Sequence, residues 1–146
     1  LCRVMQSRAV APEQVRYVIP THVHLDHAGG AGTMMAAFPE AQLLIHPRGA
    51  PHMADPQRLV ESSEGVYGAR RFRELYGEIT PVDPERMVIM QDGDKVGLGV
   101  GSWRCGRHES MPIIIFGYGT KEVPGGSAGT CLVFPIPGSA LSAAII

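Results

Sequence analysis

Hydrophobic positions in the first hundred residues form short blocks separated by polar turns. Val15-Arg16-Tyr17-Val18-Ile19 is a compact β-branched and aromatic run ended by Pro20, and it predicts a buried strand. A helix-like opening up to about Gln14 leads into it. After Pro20 a polar segment precedes a short helix over residues 28–38, whose Met34, Met35 and Phe38 can face a core. Residues 41–45 predict a second strand. Residues 55–76 predict a helix or broken helix with Leu59, Val60, Val66, Phe72, Leu75 and Tyr76 on its apolar side, and Gly65 and Gly68 make a break there plausible. Met87-Val88-Ile89-Met90 and residues 95–98 flank Asp92-Gly93 and predict a hairpin around that turn. No internal repeat is visible, and strands alternating with helices imply a layered α/β domain.

Composition narrows the partners. The chain has 146 residues, 45% hydrophobic and 18% charged, which excludes disorder as a whole-chain reading. Lys+Arg 13 against Asp+Glu 14 supplies no basic field, so nucleic acid is disfavoured and a small-molecule substrate is the expected partner. Cys2, Cys105 and Cys131 form no paired-cysteine motif, and free thiols in a reducing, cytoplasmic compartment are the simplest reading. The segment 131–146 is interrupted by Pro135, Pro137 and Gly138 and is too short to span a bilayer, so no membrane is expected. The opening residues carry neither an initiator Met nor an apolar signal core, so a fragment is expected.

The chemistry concentrates in His22-Val23-His24-Leu25-Asp26-His27, which puts four metal-competent side chains into six residues. In an extended loop, side chains at alternate positions share a side, so His22, His24 and Asp26 can converge, and a turn at Asp26 brings His27 round. Imidazole nitrogens and a carboxylate oxygen suit Zn²⁺, one or two ions, and also Fe or Mn. The chemical reason for such a cluster is water activation: Zn²⁺ lowers the pKa of bound water to about 7 and polarises the bond to be cut. Ala28, Gly29 and Gly30 are small enough for the next helix to begin close to the metal.

Thr21-His22-Val23-His24-Leu25-Asp26-His27-Ala28-Gly29-Gly30 resembles the T-H-x-H-x-D-H-x-G-G signature of the metallo-β-lactamase-fold hydrolases, among them glyoxalase II, lactonases, β-lactamases and RNA-processing nucleases. The setting is similar too, with a strand before it and Phe38-Pro39-Glu40-Ala41 before the next strand. The resemblance covers about residues 1–100. It implies the first half of an αβ/βα sandwich, with His22 and His24 in a first metal site, Asp26 and His27 in a second, and Asp26 also orienting the reactive water as the catalytic residue.

The family's later motifs, a third histidine after glycine, a bridging aspartate after glycine and a final histidine, have no match here. Asp94 follows Gly93 but belongs to the expected hairpin and reads as a turn residue; His108 lies near the position of the third histidine without its context; His46 and His52 read as local structure. The absence coincides with a change of composition, because residues 1–100 hold 22 of the 27 charges and residues 101–146 hold twelve Gly plus Pro. Two parts are therefore expected, residues 1–100 from a metallo-β-lactamase-like domain and 101–146 a divergent tail of uncertain structure. With G/C-ending codons, as Arg 11 against Lys 2 suggests, Ser110 to Ile115 read one base out of phase contains His-Ala-His-His-His. A frameshift, or an equivalent gene-model error, between about Val100 and Ser110 is the expectation.

The remaining candidates carry little. Gly29-Gly30-Ala31-Gly32 and Gly125-Gly126-Ser127-Ala128-Gly129 lack the lysine of a phosphate loop, Arg70, Arg71 and Arg73 read as a solvated helix face, and Cys105 has no evident base. The sequence thus implies a metal-dependent hydrolase acting on an ester, thioester, lactam or related substrate. The alternatives are an inactive metal-binding fragment and a nuclease-type member of the same fold.

Overall fold

The run Val15–Ile19 forms strand β1, with Val15, Val18 and Ile19 completely buried. In the computed structural model, residues 11–20, 22–97, 102–106, 115–119, 132–135 and 144–145 are described. The chain continues through helices α1 (Leu25–Ala28) and α2 (Ala31–Ala37) to strand β2 (Gln42–Ile45). Helices α3 (Ala50–Ala54), α4 (Gln57–Tyr67) and α5 (Ala69–Tyr76) follow, then a 3-10 turn at Pro84–Arg86 and strands β3 (Met87–Ile89) and β4 (Lys95–Gly97). Strands β5 (Ser102–Gly106), β6 (Ile115–Gly119), β7 (Leu132–Pro135) and β8 (Ala144–Ile145) complete the described elements.

Two sheets result. The larger has the order β3-β2-β1-β7-β8 and the smaller β4-β5-β6. β1 and β2 are parallel, as are β2 and β3, while β7 runs antiparallel to β1. Parallel neighbours need a crossover, and the helices between β1, β2 and β3 supply it. Alternation along β2 sends Leu43 and Ile45 into a core with Ala28, Ala31, Met35, Phe38, Met53 and Val82, and sends Leu44 into a second core with Ile19, Met90 and Cys105. The helices therefore cover one face of the large sheet, and the β4–β5 part of the small sheet covers the other. Val15 and Val18, three residues apart, both enter the helix-side core; the irregular register between Val15 and Tyr17 accounts for that change of parity. Each buried Leu or Ile contributes about 1.5–3 kcal/mol over the exposed state.

Both strands expected in residues 15–19 and 41–45 are present, and Met35 and Phe38 are buried as the helical pattern predicts. Two expectations need correction. The segments around Asp92-Gly93 are strands, but they do not pair: β3 joins β2 and β4 joins β5 in the other sheet. The physical reason is that the turn closes on itself, with the Gln91 N–H donating to the Asp94 carboxylate at 2.7 Å, and is tied to β5 by Gly93 N–H to Cys105 O and Cys105 N–H to Asp94 O. It is a corner between sheets. Asp94 is thus a turn residue, as expected.

The second correction concerns the apolar side expected for residues 55–76; the break that Gly65 and Gly68 make plausible is present. The break falls at Gly68, whose φ of 78° no helix accepts, and Gly65 stays inside α4. Of the apolar side, Phe72 is buried, whereas Val66 is 77% exposed and Leu75 48% exposed. Two short helices joined at an angle cannot present a common stripe to the core. His108, the segment 107–114 and the glycine cluster 125–129 lie outside the described residues. Among the described residues, no helix is long and apolar enough to cross a membrane.

A tertiary lock missed by periodicity is Arg86. Its guanidinium donates to the carbonyls of Met35 at 2.8 Å, Phe38 at 2.5 Å and Ala41 at 2.8 Å, closing the C-terminal end of α2 against the turn that enters β3. A planar fork with several donors suits three carbonyls at once, which an ammonium cannot match. Arg86→Leu should lower stability by about 2–3 kcal/mol in chemical denaturation, with Arg86→Lys intermediate; a loss near zero would remove Arg86 from this role. A Cβ on Gly32 would overlap the Thr80 backbone, so α2 touches the chain after α5. Gly32→Ala should destabilise by about 1–3 kcal/mol through overpacking, read as a drop in thermal midpoint.

Candidate functional site

Parallel strands deliver their ligand-bearing loops at their C-terminal ends. β1 stops at the buried Pro20, and residues 22–28 then turn immediately into α1. Val23, between the first two histidines, is seated against the second crossover: a Cβ on Gly49 would come within 2.7 Å of Val23 Cγ1. Only a residue without a side chain lets the chain after β2 pass so near, and this contact fixes the path on which His22 and His24 stand.

The side chains are placed as follows. His22 is buried, His27 is partly buried, and His24 and Asp26 are exposed. Ligand atoms of His22, Asp26 and His27 lie within 4.8 Å of one another. The rings of His22 and His27 are 4.0 Å apart, and His27 Nε2 is 3.2 Å from Asp26 Oδ2. His24 stands next to this trio rather than in it, its ring meeting that of His22 edge-on at 5.0 Å. The extended path foreseen for the whole segment ends at His24, because α1 already begins at Leu25. Asp26 and His27 therefore occupy the first turn of a helix, where their side chains meet each other and lie within reach of His22.

His22 is a fit ligand electronically as well as spatially. Burial, then the nearby His27 and His24, lower its pKa, against a smaller opposing pull from Asp26. A neutral imidazole with an available lone pair is what a divalent ion requires. A carboxylate and two imidazoles in a space of this size suit a zinc-like cation, so the donor set fits the ion that the sequence implies.

His46 lies after β2, where its Nδ1 accepts the Arg48 N–H at 3.1 Å, a local turn contact. His52 lies within α3. Cys105 is buried, its pKa pushed up to about 11 by burial and then by Asp92 and Asp94, and its thiol faces the Met90 carbonyl at 3.7 Å. Such a thiol is a core group and not a nucleophile.

The Metallo-beta-lactamase superfamily model matches residues 3–105. The solved structure of the metallo-beta-lactamase SMB-1 with mercaptoacetic acid is 19% identical, with a TM-score of 0.54, covering 94% of this chain and 50% of that one. That of MEM-A1, a subclass B3 metallo-beta-lactamase isolated from a soil metagenome library, is 18% identical at a TM-score of 0.52, covering 90% and 44%. An archaeal metallo-beta-lactamase superfamily protein from Sulfolobus tokodaii is 22% identical at a TM-score of 0.52, covering 62% and 36%. At these identities the likeness is one of fold, and the chain spans 36% to 50% of the length of these three structures. No curated protein compared with the chain matches it.

The lowered pKa of His22 has a consequence for stability. An unfolded chain takes up a proton at the ordinary imidazole value of about 6.5, which the folded chain resists. The contribution of neutral His22 is therefore present above that pH and is lost as pH falls below it. Thermal unfolding of the metal-free chain should show a lower midpoint at about pH 5.5 than at about pH 7.5, and His22→Gln should flatten part of that slope. An unchanged slope in the variant would show that His22 does not carry it.

Proposed function

Because the chain belongs to the metallo-beta-lactamase superfamily, we propose that it carries the ligand-bearing half of a metal-dependent hydrolase acting on an ester, thioester, lactam or related small molecule. The single observation that carries the reading is the convergence of His22, Asp26 and His27 within 4.8 Å just past a strand whose Val15, Val18 and Ile19 are completely buried. These three residues would hold the ion, with His24 beside them as the additional donor the motif supplies. A bound divalent ion would lower the pKa of water towards neutrality and polarise a carbonyl oxygen.

The residues themselves divide the remaining tasks. His22, buried and neutral, contributes a lone pair without adding charge. Asp26 contributes the negative charge; its side chain is 62% exposed, so a water or substrate can reach the carboxylate. His27 is held in orientation by its contact with Asp26, which limits the ring rotation that would otherwise be lost on binding. Rigidity comes from β1, which is hydrogen-bonded on both edges.

A second reading, metal binding without turnover, is favoured by one observation: among the described residues a single group of three or more such ligands is found. Two ions need more donors than that group offers. Zinc titration of the metal-free chain tests the shared premise. Uptake near one ion per chain is expected, with Asp26→Ala weakening it roughly tenfold or more. Hydrolysis of generic esters or thioesters by the zinc-loaded chain supports the enzyme. Stoichiometric zinc without turnover supports the second reading, and no uptake at all would overturn both.

A further inference from the structure

Gly49 is a glycine whose backbone does not require one. Its φ of −86° and ψ of −30° lie in the right-handed helical region open to any residue, unlike the positive φ of Gly68, Gly77 and Gly93. In such a position alanine ordinarily stabilises, because it narrows the unfolded ensemble. What excludes a side chain here is close approach. A Cβ on the buried Gly49 would stand 2.7 Å from Val23 Cγ1 and 3.1 Å from both Cδ1 and Cγ1 of Ile45. Val23 is itself packed against the helix-side core.

Hydrogen bonding decides which side of this contact would yield. The Gly49 N–H donates to the His46 carbonyl at 2.8 Å, and the Gly49 carbonyl accepts the His52 N–H at 3.0 Å and the Met53 N–H at 3.2 Å. The carbonyl of the buried Met53 in turn accepts the Val82 N–H at 2.8 Å. Gly49 is thus tied on both sides, and Ile45 is buried in β2 between β1 and β3. Val23 has one stiff, β-branched torsion, so its methyl retreats mainly by carrying residues 22–24 along. The next carbonyl, that of His24, accepts the His27 N–H at 2.9 Å and the Ala28 N–H at 2.8 Å, so α1 hangs from this segment. Pressure on Val23 reaches His22 and His24 as its chain neighbours, and Asp26 and His27 through the His24 carbonyl.

Resting on the metal-centre reading, we propose that the β2–α3 turn is a positioning element for the ligand cluster, acting through the contact of Gly49 with Val23. Gly49 has no side chain to offer an ion; it is a positioning residue that leaves the room Val23 needs for His22 to stand within reach of Asp26 and His27. A ligand set must be held within about 0.5 Å of its productive geometry, less than the shift that a Cβ on Gly49 would impose on Val23 to restore ordinary van der Waals contact.

Zinc titration of the folded, metal-free full chain is the test. Gly49→Ala should weaken zinc binding roughly tenfold or more, the loss typical when ligand orientation is disturbed from outside the ligand set. Val23→Ala removes the methyl that the new Cβ meets, so the double variant should bind zinc more tightly than Gly49→Ala alone, a rescue that a purely structural role would not give. Leu44→Val, which trims the opposite core, should lower the thermal midpoint and leave zinc affinity unchanged. Where Gly49→Ala does not fold, Val23→Ile extends the same Cγ1 towards Gly49 and should weaken zinc in the same way. Zinc affinity within about twofold of the parent in the folded variant, or an equal loss in Gly49→Ala and the double variant, would overturn the proposal and leave the metal centre standing. A parent chain that takes up no zinc would overturn the metal-centre reading and this proposal with it.

Discussion

Everything in the candidate site depends on one constraint: β1 is a central strand whose Val15, Val18 and Ile19 are buried and whose two edges are both paired, to β2 and β7. Such a strand cannot slide by one residue without turning Val18 and Ile19 to the wrong faces. Nor can it lengthen past Pro20, which has no N–H to continue a ladder. The chain must leave the sheet there, and His22 is the second residue beyond it. The position of the metal-competent segment thus follows from burial and hydrogen bonding in the sheet, before any ligand is considered.

A second layer of restraint comes from beyond the motif. Val23 lies against Gly49 from the crossover after β2, Gly29 and Gly32 receive Ile79 and Thr80 from the segment after α5, and Arg86 closes the end of α2. Three stretches distant in sequence therefore converge on the chain from Val23 to the end of α2, whose two helices are too short to be stable alone. A four-residue helix carrying Asp26 and His27 holds its shape because its neighbours leave it no alternative.

How much of this was legible in the sequence varies with the range of the interaction. Strands β1 and β2 were readable because their apolar runs are local and their period is set by the pleat. The cluster was readable because four ligand-type residues in six positions have few other uses. Arg86 was not, since its carbonyl partners lie 45 to 51 residues away and nothing in Pro84-Glu85-Arg86 marks it as a clamp. The hairpin expected at Asp92-Gly93 failed for a related reason: the turn chemistry is local, but the choice of β2 as partner for β3 and of β5 for β4 is made by the two cores. The amphipathic stripe expected in 55–76 failed because a bend at Gly68 splits one pattern between two directions.

That bend also decides where the ends of the two helices meet. A straight helix over 57–76 would place Tyr67 and Tyr76 nine positions apart, about 13.5 Å along its axis. Folding the segment back at Gly68 instead brings the two rings to 6.2 Å and sets the exit of α5 against the helix that bears Asp26. The exposed Val66 and Leu75 are then the consequence of choosing the corner over the stripe. The bend lets Phe72 be buried from α5 while Val66 and Leu75, on either side of Gly68, are left in solvent.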